Sequence, residues 1–289
     1  MHLIESHSVP LQEKPIRLQE YAVGIFHTIP TKSGIKKALK KKLLFVDGNN
    51  ATTALFIHGK ETIELYQPET KTALKKLILP LQVLLEDAYL AIVYKPAGIL
   101  VSGNAFITIA NALEQNLQKS TQKDAVRPQP VHRLDYSTSG VLLIGKTSSA
   151  ITTLSKLFEN KKIRKTYHAI TIDTMKQRGI INVPIDKKAA YSEFEVLASE
   201  ISERFSVLNL IKLHPKTGRK HQLRKHLSIT GNPILGDKDY GKEELILKGK
   251  GMYLHATKIE FEHPFTKETI SITTELPKKF RKIFPNCNL

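Results

Sequence analysis

The sequence predicts an α+β protein whose central sheet is mixed, mainly antiparallel and flanked by helices, with a small α/β module in front of it. Three observations predict this. Short apolar or alternating runs at 43–46, 54–57, 61–66, 90–94, 141–144, 166–172, 190–197 and 205–213 read as strands, bounded by Gly, Pro, Asn and Asp. Helical patterns fall between them at 34–41, 105–119, after Lys146 and after Gly218. A length of 289 residues, 41% of them hydrophobic, suffices for one large domain carrying a small appendage.

The charge balance narrows the partners. Lys and Arg total 44 against 27 Asp and Glu, a formal +17 with a pI near 9.7. Such a cation draws phosphate backbones, because neutralised phosphates release condensed counterions. No apolar run approaches the ~20 residues of a membrane span, and the N-terminus lacks a basic-then-apolar secretory pattern. The single cysteine, Cys287, cannot form an internal disulfide or a cysteine metal cluster. A cytoplasmic, polyanion-binding monomer is expected, with no membrane partner.

Residues 1–20 suggest no element. Thr31 and Ser33 can cap a helix over 34–41, with Ile35, Ala38 and Leu39 on one face and Lys36, Lys37, Lys40 and Lys41 turned to solvent. Strands follow around 43–46, 54–57 and 61–66, separated by turns at 47–50 and at His58-Gly59. A basic helix, then Leu-Phe-Val-Asp-Gly, then His-Gly-Lys-Glu-Thr-Ile-Glu-Leu resembles the small S-four RNA-binding module. The resemblance spans 20–67 and departs at Gly34, where the module commonly has an arginine. The expected organisation is a module over 1–70, a linker over 71–83 containing a short basic helix, and a main domain over 84–289.

The main domain opens with an apolar strand closed by Lys95-Pro96-Ala97-Gly98, where proline ends the ladder and glycine permits a reversal. A helix over 105–119 presents Ile107, Ala110, Leu113 and Leu117 on one side, and 120–130 reads as a polar loop. Next comes Val131-His132-Arg133-Leu134-Asp135-Tyr136-Ser137-Thr138-Ser139-Gly140, which presents a carboxylate beside His and Arg at the mouth of a buried strand. Downstream, a helix carries Ile151, Leu154, Leu157 and Phe158, and Lys161-Lys162-Ile163-Arg164-Lys165 leads into a strand holding Tyr167. In Thr217-Gly218-Arg219-Lys220-His221-Gln222-Leu223-Arg224-Lys225-His226, the residues His221, Arg224 and Lys225 share a helical face and could meet a carboxylate or phosphate together. A zinc reading fails, because the two histidines are five apart without an adjoining Glu.

These stretches, in this order, resemble the RluA-like family of RNA pseudouridine synthases. The match rests on Lys95 to Gly98, on His132 to Gly140, on the Lys-x-Tyr-x-Ala around Tyr167, and on 217–241 with its Gly236-Asp237-x-x-Tyr240-Gly241. Leu254-His255-Ala256 and Phe261-Glu262-His263-Pro264 close it. Tyr94 replaces the family's usual Asn. The resemblance implies the pseudouridine synthase fold and an isomerase without cofactor or metal. It implies Asp135 as the catalytic carboxylate, Arg224 pairing with it, and Tyr167 stacking on the flipped uracil. His132, Arg133, Thr138, Arg219, His221 and Lys225 are the candidate substrate-binding residues. Ribosomal RNA comes first as substrate, since S-four-like modules are typical of members acting there, and transfer RNA second. Two rivals remain: a non-catalytic RNA-binding protein on the same fold, and a glycosylase that releases the base. A protein kinase is set aside, because His-Arg-Leu-Asp has one residue too many and its glycine-rich and Asp-Phe-Gly partners are missing.

Overall fold

The computed structural model describes residues 1–67, 77–247 and 249–286. Two compact units result, Met1–Lys76 and Leu77–Leu289. Cys287 and the part of the expected linker up to residue 76, with its basic helix, lie outside the described residues. Within 77–82, Leu77, Leu79 and Leu81 pack on the core of the second unit, while Ile78 is exposed. Leu81 is buried, Asn116 accepts from its backbone N–H at 2.7 Å, and the same side chain donates to the Leu79 carbonyl at 2.9 Å. Among the described residues no helix is long and apolar enough to cross a membrane.

The first unit contains β1 (His2–Ser8), β2 (Ile16–Arg17), α1 (Leu18–Tyr21), α2 (Lys32–Lys40), β3 (Leu44–Val46), β4 (Asn49–Asn50), β5 (Phe56–Ile57) and β6 (Thr62–Gln67). Its main sheet runs β1-β6-β3-β4, and β2 pairs with β5. Thr31 caps α2 by accepting from Gly34 N at 3.1 Å, and Ile35, Ala38 and Leu39 are buried as their spacing predicts. Lys36, Lys37, Lys40 and Lys41 are exposed. The expectation of no element in the first twenty residues is corrected by β1, β2 and α1. The largest of these, β1, is mostly polar and mostly exposed, so its alternation carries little hydrophobic signal.

The second unit contains β7 (Val83–Glu86), β8 (Leu90–Lys95), α3 (Ile109–Asn116), β9 (Ala125–Pro130), β10 (Ser139–Thr147), α4 (Ser148–Glu159), β11 (Arg164–Ile172), β12 (Arg178–Ile181), β13 (Ser192–Ser202), β14 (Ser206–Pro215), α5 (Gln222–Ile229), β15 (Leu254–Glu262), β16 (Thr269–Thr273) and α6 (Lys278–Arg281). Ten strands form one sheet in the order β12-β13-β14-β11-β15-β10-β8-β7, with β16 beside β15 and β9 beside β10. The pairings are antiparallel except β10 with β15, a parallel contact of two residue pairs, Ser139 with His255 and Gly140 with Ala256. This seam joins two antiparallel halves. Backbones come so close there that a side chain on Gly140 would begin 2.0 Å from the Ala256 carbonyl oxygen, and Gly140 itself sits at φ +121°. Strand β10 is buried over its whole length, as its apolar run predicts.

Three local expectations are corrected. The polar loop over 120–130 contains β9; its prolines are tolerated because it lies off the main strand path, pairing with β10. The helix over 105–119 is shorter, capped by Thr108, and rotated: Ile109, Ala112 and Leu113 are its buried residues, while Ile107 is exposed. Helix α5 starts only at Gln222, and His221 stands before it in left-handed backbone at φ +54°.

Candidate active site

Asp135 lies in the loop that feeds the seam strand β10. The loop is tightened by a bond from Thr138 N to the Asp135 carbonyl at 3.1 Å. Beneath it Lys95, fully buried at the end of β8, donates from Nζ to the carbonyls of Pro96 (3.0 Å), Tyr136 (3.3 Å) and Thr138 (2.7 Å). One ammonium thus holds both residues flanking the turn. Burial pushes the Lys95 pKa down to about 8, against the attraction of the Asp135 charge.

Beside this loop two strands part. Strand β11 pairs with β14 from Tyr167 to Ile172, whereas Arg164 to Thr166 continue with β15 alone. The end of β14 stays with β13 through Pro215. A bulge after Thr166 marks the divergence. The splay opens a cleft of about 1360 Å³, lined by Asp135, Thr138, Tyr167, Arg133, Arg219 and His221 among others. Tyr167 lines this cleft next to the register shift, whose extra residue is Thr257 on β15. Burial, aided by the Asp135 charge, raises its phenol pKa, so the hydroxyl keeps its proton.

Behind Asp135 stands a guanidinium held from its far edge. Arg224 donates from Nε to Asp237 Oδ2 at 2.7 Å and from Nη2 to Asp237 Oδ1 and Asp239 Oδ2, both at 2.6 Å. Its Nη1 is left toward Asp135 Oδ2 at 4.0 Å. The Tyr240 ring lies 4.9 Å from the guanidinium carbon. Burial opposes the Arg224 charge, and the two carboxylates outweigh it and raise its pKa. His221 Nε2 stands 3.9 Å from Asp135 Oδ1, and its Nδ1 is 3.0 Å from the Tyr240 hydroxyl. Gln222 ties the preceding turn, accepting from Thr217 Oγ1 (2.7 Å) and Arg219 N (3.0 Å) and donating to Tyr191 O and Ser192 Oγ (2.9 Å each).

A half-buried carboxylate, a protonated tyrosine and a fixed cation at one end of a basic cleft can carry carboxylate chemistry on a ligand brought in from solvent. The comparisons name the family. The description "RNA pseudouridylate synthase" matches residues 89–229. The chain is 32% identical to ribosomal large subunit pseudouridine synthase C of Rickettsia felis, over 94% of its own length and 96% of the relative's. The chain belongs to the RNA pseudouridine synthase family. It is also 30% identical to ribosomal large subunit pseudouridine synthase D of Xanthomonas campestris, covering 88% of this chain and 83% of that one. Among solved structures, Human RNA Pseudouridylate Synthase Domain Containing 4 is similar at a TM-score of 0.57 and 25% identity, over 69% of this chain and 90% of that chain. The synthase is therefore an isomerase that converts uridine to pseudouridine in RNA, on the family's α+β fold.

The synthase brings together Asp135, Tyr167, Arg224, His221, Thr138, Arg133 and Arg219, the last two exposed at the cleft surface. Arg219 is also fixed through Nε to the Ala189 carbonyl at 3.0 Å. Two expectations are corrected. Lys225 does not join His221 and Arg224; it turns to Asp186, with Nζ 3.0 and 3.1 Å from the two carboxylate oxygens. His132 lines the cleft, but its Nε2 accepts from Leu143 N at 3.0 Å, and its ring packs on Phe158 at 4.6 Å. That ring belongs to the sheet, and burial with nearby Lys165 lowers its pKa to about 3. The sequence reading missed Lys95, Asp237, Asp239, Tyr240 and Gln222 as contributors. All lie within the motif stretches, but nothing in their spacing says which side chain each would hold. Among the described residues no group of three or more His, Cys, Asp or Glu is placed to hold a metal ion.

Proposed function

We propose that this synthase isomerises specific uridines in large-subunit ribosomal RNA, working in the cytoplasm, with Asp135 as the catalytic carboxylate. The substrate rests on its relatives of Rickettsia felis and Xanthomonas campestris, whose names specify that RNA. One observation carries the residue assignment: the Arg224 guanidinium and the His221 imidazole stand 4.0 and 3.9 Å from the Asp135 oxygens, beyond hydrogen-bond length, so they flank the carboxylate without occupying it.

The target uridine enters the cleft flipped from its stack. Asp135 then acts either as nucleophile at the anomeric carbon or as base toward the ribose. On either route the N1–C1′ bond breaks, the uracil turns, and its C5 bonds to C1′ while the C5 proton leaves. Arg224 keeps the carboxylate oriented as charge changes, and Tyr167 stacks on the uracil with a phenol able to donate. Thr138 and His221 bound the same end of the cleft, and Arg133 and Arg219 take phosphates at its mouth, contacts that position without specifying. Lys36, Lys37, Lys40 and Lys41, exposed on α2, give an S-four-like module a second phosphate-binding face.

The test is pseudouridine mapping of total RNA from cells lacking the protein, complemented with wild type or Asp135→Ala. One or a few ribosomal sites should vanish and return only with the wild type. A site in transfer RNA would move the substrate, and no change in either strain would overturn the enzyme assignment to Asp135. Free uracil released from RNA by the purified protein would point instead to a glycosylase.

A further inference from the structure

Next to Asp135 the surface changes character. Tyr136 follows the carboxylate in the chain, yet its side chain is 57% exposed. Its backbone is fixed, because its carbonyl accepts from Gly98 N at 2.8 Å and from Lys95 Nζ at 3.3 Å. Its hydroxyl lies 3.9 Å from where a side chain on Gly98 would begin, so the tip of the ring stands beside that glycine. The same loop then exposes Leu100 (39%), Phe106 (52%) and Ile107 (55%).

These side chains are not on a slack segment. Leu100 bridges Thr108 and accepts from Ile109 N at 2.9 Å, and Asn111 Nδ2 donates to the carbonyls of Ala105 (3.2 Å) and Phe106 (3.1 Å). Four large apolar side chains are thus presented to water on two loops that share hydrogen bonds with each other. An apolar surface held in place beside a functional site marks a binding surface. The cleft that Asp135 lines is basic, with Arg133, Lys161, Arg164, Lys165 and Arg219 in its lining. Cationic groups that track phosphates, joined to an exposed aromatic ring, are what an unpaired RNA strand requires. Flipping a uridine also strips its neighbour of a stacking partner.

We propose that Tyr136, on a loop hydrogen-bonded to the one that exposes Leu100, Phe106 and Ile107, receives the unstacked nucleobase that neighbours the target uridine. The proposal rests on the reading of Asp135 as the point to which the uridine is brought. The ring replaces the stacking that flipping removes, and because any base has a π-face, Tyr136 adds affinity more than base selectivity. Tyr136 directly follows Asp135, which lines the basic cleft, and this favours RNA over a protein partner.

The test uses the full-length protein and a twelve-nucleotide single-stranded RNA with one uridine flanked on one side by 2-aminopurine, in two versions for the two sides. Binding to wild type should quench the 2-aminopurine in one version. Tyr136→Phe should quench equally, whereas Tyr136→Ala should lose the quench and bind on the order of tenfold more weakly. The salt dependence of binding should stay the same in all three, because no phosphate contact is removed. The quench requires binding and no turnover, so a failure of the catalytic assignment is seen in the mapping experiment and not here. Wild-type affinity and quenching in Tyr136→Ala would overturn the proposal and leave this surface to a protein partner. A loss in Tyr136→Phe equal to that in Tyr136→Ala would also overturn it, since the hydroxyl and not the ring would then make the contact.

Discussion

Removing the Asp237 carboxylate would leave the Arg224 side chain, which is 6% exposed, with Asp239 as its one remaining short partner. A buried charge stripped of its main partner costs about 3–5 kcal/mol, and here the loss falls on the group that faces Asp135. Asp237→Ala is therefore expected to lower the melting temperature and also to cut turnover, while Asp237→Asn, which keeps one acceptor oxygen, should lose less of both. Thermal melts and single-turnover rates on the two variants check this; wild-type turnover in Asp237→Ala would show that Arg224 needs no holding from behind. Asp135 and Tyr167 were legible in the sequence because each stands in a recognisable run of neighbours. The grip on Arg224 was not, because it depends on how a loop thirteen to fifteen residues downstream folds back.

At the scale of elements, most strands follow from apolar runs, since a buried strand must be apolar wherever it packs. The exceptions are instructive. Strand β9 carries two prolines, and β1 is polar on most of its length, so both are stabilised chiefly by backbone pairing, which leaves little trace in composition. The rotation of α3 was missed because Ile107 precedes the Thr108 cap and so lies outside the helix. The seam between β10 and β15 is likewise silent in the sequence except through Gly140. Gly140→Ala should be strongly destabilising, by more than about 2 kcal/mol, since the new methyl meets the Ala256 carbonyl and the backbone stays at positive φ. Denaturant melts of Gly140→Ala against wild type measure it; a loss under about 0.5 kcal/mol would mean the two halves can separate at little cost.

The molecule as a whole should be sensitive to mild acid. His168 and His255, paired across β11 and β15, are buried, and desolvation first, then nearby positive groups, lowers both to about 4. His132 is lower still, at about 3, and His214, His221 and His226 are shifted the same way. In the unfolded chain these imidazoles take protons near pH 6.5, so below that pH the unfolded state binds more protons than the folded one. The stability they contribute is full above about 6.5 and is lost as pH falls toward 4. Melting temperature measured across that window should drop well before the carboxylate range, and His255→Gln should flatten part of the slope.

The seam also sets an order of events during synthesis. Ser139 and Gly140 lie 116 residues ahead of their partners His255 and Ala256, whereas β7 to β10 find each other within 65 residues. On the ribosome the first half can therefore pair its strands while the second is still being made. The carboxylate of Asp135 emerges early, the guanidinium of Arg224 that faces it later, and the β10–β15 seam after both. The seam of the sheet therefore forms only after most of the second unit has been translated.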